Sequence, residues 1–209
     1  MNHLKIQQAA GVELVRGAAR QNDAALASML SNLGGKFHVE HIRNGKVIGK
    51  YEFKNGITNE GKNFLLDVMF HNTPSPMATW YLGLIDNAGF TALAAGDNYD
   101  NINQAGNGWD EFASYTDNAN AGSAVTRPAW TEGAASGQSI TNSSPIVFDI
   151  TGTGTVKGVM AVGGPNAQTK SDHTPGSPLN KMWATATFTG GDVAVVNGDQ
   201  LKVTYTVSA

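Results

Sequence analysis

Hydrophobic and polar positions follow two rhythms along this chain, and the change falls at Gly34-Gly35. Before it, Val12, Val15, Ala19, Asn22, Leu26, Met29 and Leu33 recur in alternating steps of three and four. That spacing predicts an amphipathic helix over residues 3–33 with a narrow heptad seam, one position of which is a polar Asn. Gly34-Gly35 is its stop signal. Beyond it, apolar positions alternate with polar ones in short runs divided by turn residues, the rhythm of antiparallel strands.

Residues 36–43 and 46–54 form a hairpin around Asn44-Gly45, a favoured two-residue turn. Thr58 or Asn59 opens a short helix through about Phe70, with Phe64, Leu65, Val68 and Met69 on its buried face. Pro74 and Pro76 break it. Residues 78–86 read as a core strand, and further strands are predicted at 125–131, 144–150, 154–163, 181–189 and 200–208. Between Asn87 and Ala124 lies a long stretch rich in Gly, Asn, Ala and Asp. Loops of that length in a compact domain are functional or interface elements. Trp109, Phe112 and Tyr115 are its apolar anchors and candidate contact residues. Eight short strands predict a mainly β fold, an antiparallel, jelly-roll-like β-sandwich, with an N-terminal α-helix and one short internal helix. The expected division is a helical arm over 1–35 and a β-sandwich domain over 36–209.

Composition narrows the function classes. Charged residues make up only 15% of the chain, with 25 glycines, as in a loop-rich β protein. The net charge of −3 offers no basis for nucleic-acid binding. It is uneven: residues 1–50 hold seven Lys/Arg and three Asp/Glu, residues 63–209 five and twelve. A weakly basic front and an acidic body can help orient a partner. With no cysteine, disulfides and thiolate metal sites are excluded. No run of about 18 apolar residues predicts a membrane span, and the N-terminus lacks the pattern of a secretory signal. The expectation is synthesis in a cytoplasm with no membrane partner.

Candidate chemistry is sparse. His38 and His41, three apart on a strand, point to opposite faces and are not placed to share a metal. The segment from Asp97 to Asn103 offers oxygen ligands but lacks the glycine and distal glutamate of a calcium loop. Gly152 to Gly158 lacks the Gly-Lys-Ser/Thr ending of a phosphate loop and reads as a turn into a strand. Ser136 is not in a nucleophile elbow. Asp110-Glu111 reads as two carboxylates in a polar loop rather than a glycosidase pair. No catalytic residue, cofactor or metal is expected.

Three stretches carry a resemblance. The first runs from Phe37 to Ile48 and resumes from Asn55 to Asn63. The second is Thr79-Trp80-Tyr81-Leu82-Gly83-Leu84-Ile85. The third comprises Thr126-Arg127-Pro128-Ala129-Trp130, Ala134 to Ser143, and Gly152 to Gly158. With the ending Leu201 to Val207, they resemble small structural proteins of tailed bacteriophages over roughly residues 36–209. Residues 1–35 look like an addition to the shorter relatives. The resemblance implies a virion component, foremost a capsid decoration (cement) protein that binds and stabilises the head lattice, with the arm or the 87–124 region clamping neighbours. The alternatives are a tail component, such as an adaptor or a tail-fibre anchor, and a carbohydrate-binding module with Trp109 or Trp130 stacking on sugar. The implied partners are the major capsid protein or tail proteins and further copies of the chain.

Overall fold

The computed structural model describes residues 33–104, 106–120, 122–170 and 179–209. The expected N-terminal helix, with seam positions Val12, Val15, Ala19, Asn22, Leu26 and Met29, lies outside the described residues. Leu33 stands half-buried just ahead of the first strand.

The described residues form eleven strands: β1 (Gly34–Arg43), β2 (Lys46–Ile57), β3 (Trp80–Asp86), β4 (Tyr115–Asp117), β5 (Ala129–Trp130), β6 (Ser139–Thr141), β7 (Ile146–Ile150), β8 (Gly154–Gly163), β9 (Lys181–Thr187), β10 (Val193–Val195) and β11 (Gln200–Ser208). The helical elements are α1 (Asn59–Leu66), running into a π-helical turn over Asp67–His71, and single 3-10 turns at Tyr99–Asn101 and Asn118–Asn120. All pairings are antiparallel and form one sheet in the order β4-β7-β11-β1-β2-β9-β8-β3-β5, with β10 beside β8 and β6 beside β11. The sheet curls into a half-barrel, and β2 makes the bend. Its Lys46–Asn55 part pairs with β1, while Gly56 and Ile57 pair with β9.

Period-two alternation sends one face of each half inward. Phe37, Val39, Phe53, Phe148, Val203 and Tyr205 from the first half meet Leu82, Leu84, Val159, Ala161, Ala184 and Ala186 from the second. Phe37 stacks on Tyr205 with centroids 4.2 Å apart. The strands expected at 154–163 and 200–208 form with those bounds. The one expected over 125–131 shrinks to β5. Pro128 has no N–H for a ladder; its carbonyl instead accepts from Leu82 N, and Arg127 N donates to Gln168 O.

The segment after β3 is not a free loop. The outer face of β3, β8 and β9 is itself apolar, carrying Ile85, Met160, Val162 and Met182. Tyr99, Ile102 and Trp109 fold back onto it. Strand β8 is thereby covered on both faces, and its last six residues are all buried. Phe112 and Tyr115 turn into the main core. These placements correct the expectation that Trp109, Phe112 and Tyr115 offer themselves to a neighbour. They are 2%, 4% and 1% exposed, and they anchor the segment to its own body.

Helix α1 is fastened at its start. Thr58 accepts from Gly61 N at 3.0 Å, an N-cap, and donates its hydroxyl to Met182 O at 2.6 Å. Glu60 accepts from the backbone N–H groups of Met182 and Tyr99 at 2.8 and 2.9 Å. Phe64 is buried and Leu65 and Val68 are half-buried, as the pattern predicts, but Met69 is 66% exposed. The i→i+5 spacing of the π turn rotates it off the buried stripe.

Candidate functional site

Buried polar side chains are the first place to look for chemistry. The largest cluster centres on Arg127 and Glu111, whose side chains are wholly buried. Arg127 donates from Nε and Nη2 to the two Glu111 carboxylate oxygens at 2.9 and 2.7 Å. Its Nη1 donates to Ala167 O at 2.7 Å. The Tyr115 hydroxyl donates to Glu111 Oε1 at 2.8 Å. Lys170 Nζ donates to Ala113 O and Tyr115 O at 2.9 and 2.6 Å, and lies 3.9 Å from the centre of the Tyr115 ring. Burial, and then the Glu111 charge, push the Tyr115 hydroxyl well up. Burial alone works against the Arg127 charge, but the Glu111 carboxylate outweighs it and the guanidinium stays firmly protonated. Burial lowers Lys170. The donors and acceptors are matched within the protein. The cluster ties the covering segment to the strap around residues 167–170.

A second cluster closes the turn between β10 and β11. His41 Nε2 stands 2.8 Å from Asp199 Oδ2, and Arg43 donates to both Asp199 oxygens at 2.7 Å. Val196 N donates to the same carboxylate at 2.9 Å. The Arg43 bond, with the Val196 and His41 bonds behind it, holds Asp199 far below the usual carboxylate range. In the calcium-like segment, Asp97 accepts from Trp109 Nε1 at 2.9 Å and from Ala94 N at 3.0 Å, and Asn103 accepts from Glu111 N. The Asp97 and Asn103 oxygens serve their own loop. Among the described residues, no three His, Asp or Glu side chains are grouped to hold a metal ion.

One pocket among the described residues is strongly apolar. At the end of the half-barrel where β1 begins lies a groove of about 260 Å³. Trp80, Trp130, Trp183, Tyr205, Ile140 and Val207 line it from the sheet, and Phe64, Leu65 and Val68 from α1. The rings support one another: Trp80 lies 5.9 Å from both Phe64 and Trp183, and Trp130 lies 5.4 Å from Tyr205. The indole N–H groups of Trp183 and Trp130 are already spent on the Tyr205 hydroxyl and carbonyl, at 2.9 and 3.3 Å. Glu132 is the one charged residue in the wall. The volume falls below the ~300–1,000 Å³ usual for small-molecule sites. A dry wall with few free polar groups cannot orient a polar ligand. It suits apolar side chains presented by a protein segment.

Of the contact residues named from sequence, Trp130 lines this groove and Trp109, Phe112 and Tyr115 do not. Leu33 is the one seam position among the described residues, and the other six lie outside them. Trp109, Phe112 and Tyr115 belong to the interior. Trp130 is only 6% exposed, so neither it nor Trp109 offers a ring for sugar stacking. Glu111 is not a solvated neighbour of Asp110 but half of a buried ion pair. A carboxylate between Trp109 and Phe112, two large aromatics, was the available sign that it would need a buried cation. The groove itself had no such sign, since its walls come from six strands and a helix far apart in sequence. Comparison with family models, curated proteins and solved structures found no match.

Proposed function

We propose that this chain is a structural component of a tailed-phage virion, a capsid decoration protein that binds and stabilises the head lattice. One observation carries the reading. The phage-like stretches spend their distinctive residues on architecture. Thr58 and Glu60 fasten α1 to β9, Arg127 pins the covering segment, and Trp80 and Tyr205 wall the groove. Side chains committed to architecture in this way suit a part that assembles with neighbours. We read the two facing halves, joined through β2, as the jelly-roll-like sandwich of such a protein, and further copies and the major capsid protein as its partners.

The test is to mix the purified chain with phage heads and image them. Density repeated over the head lattice, with heads that resist heating better, is the expected result. Density confined to a ring at the tail would replace the decoration role with that of an adaptor or fibre anchor. No association with any particle would remove the virion reading.

A further inference from the structure

We infer that the apolar groove is the seat of this chain's own N-terminal segment, and that Leu26, Met29 and Leu33 close it. The inference stands apart from the virion reading and rests on where the segment joins the fold. Strand β1 starts at Gly34, opposite Ser208, and Gly35 is opposite Val207, a residue of the groove wall. The next inward residue along β11 is Tyr205, another wall residue. Gly35 passes so close to it that an added Cβ would stand 2.8 Å from the Tyr205 ring. Residues before Gly34 therefore enter at the rim of the groove. The side-chain polar atoms of Asn55 are buried at this same join, beside the Tyr205 hydroxyl.

The sequence supplies a matching occupant at the right distance. Leu26, Met29 and Leu33 are the apolar end of the seam, and Leu33 directly precedes β1. In a helix rising ~1.5 Å per residue, Met29 and Leu26 follow Leu33 at about 6 and 10 Å. A narrow row of long apolar side chains fits a groove better than a flat face. An isolated helix carrying Gly11 and Gly17 needs a surface to hold it. A segment tethered at the rim meets its own groove at high effective concentration, whereas a second copy must first be found by diffusion.

The chain has no cysteine, so introduced pairs report without background. In the full-length protein, Met29→Cys is paired with Met77→Cys, on the groove wall. Mild oxidation should give a disulfide within one chain, at a rate unchanged by tenfold dilution. Met29→Cys with Val47→Cys is the control. Val47 lies beside the hairpin turn at the far end of β1, about 30 Å away at ~3.4 Å per strand residue, and the pair should cross-link at least tenfold more slowly. Interchain disulfides that vanish on dilution would mean that a second copy fills the groove, and would overturn the inference. Equal rates for the two pairs would overturn it as well. A readout without cysteines covers the case in which those variants do not fold. The full-length wild-type chain should bind an apolar dye weakly, and Met29→Asp should bind several-fold more while still unfolding cooperatively. Strong dye binding by the wild type, or no difference between the two, counts against the inference.

Discussion

At the scale of single residues, charge is used inside this protein to hold loops rather than to do chemistry. Arg127 and Glu111 carry the opposite charges of a wholly buried pair, so removing one partner leaves a buried, uncompensated charge. Arg127→Met should therefore cost about 3–5 kcal/mol. Adding Glu111→Leu should recover part of that loss, because the orphaned carboxylate goes too. Urea unfolding of the two single variants and the double variant measures both. A double variant as unstable as the sum of the singles would mean that the pair is not coupled. Asp199 makes a pH-dependent contribution. Its folded pKa is depressed, first by the Arg43 bond, so protonation favours the unfolded chain. The stabilisation is complete above the unfolded value of about 3.9 and is lost as pH falls through that value toward the folded one. The stability gap between wild type and Asp199→Asn should be flat from neutral pH to about 5 and should narrow below about 4. Thermal melts across that range read it, and a gap that widens on acidification would contradict the assignment.

At the scale of elements, close packing overrides local preference. Gly61 lies in α1, where alanine favours a helix by roughly 1 kcal/mol. Yet a Cβ at Gly61 would stand 2.6 Å from the carbonyl oxygen of Trp183, a backbone atom of β9 that cannot swing aside. Overpacking of this kind costs typically ~1–3 kcal/mol, so Gly61→Ala should destabilise despite its better propensity. Gly56, at the bend of β2, has open space where a Cβ would go. Gly56→Ala should be neutral or stabilising by up to about 1 kcal/mol, because it restricts the unfolded chain. Melting curves of the two variants should move in different directions. The same competition explains Met69, which helical periodicity places inside and the π turn puts outside.

At the scale of the molecule, the described strands supply both faces of the main core, and all of them follow residues 1–33. Deleting those residues should leave a folded β body, with near-UV circular dichroism retained and the groove open to apolar dyes. On the virion reading, the shortened chain should also fail to co-sediment with particles. Loss of the tertiary spectrum on deletion would show instead that the arm belongs to the core.

Alternation of apolar and polar side chains was enough to determine most of the strands, the Asn44-Gly45 hairpin and the short helix after Thr58. These depend on neighbours within a few residues, and their periods are written directly in the chain. The order of the strands was not legible, because pairing depends on contacts between residues up to about the full length of the chain apart, such as β1 with β11. Strands β4, β6 and β10 are three residues each, too short to show a period. The covering segment was legible as a long apolar-anchored stretch. Its inward direction was decided by the outer face of β3, β8 and β9, which needed burying as much as the inner one. The groove belongs wholly to the tertiary structure. Its walls are apolar residues that alternation marks as core, and only the fold brings them together from six strands and a helix far apart in sequence.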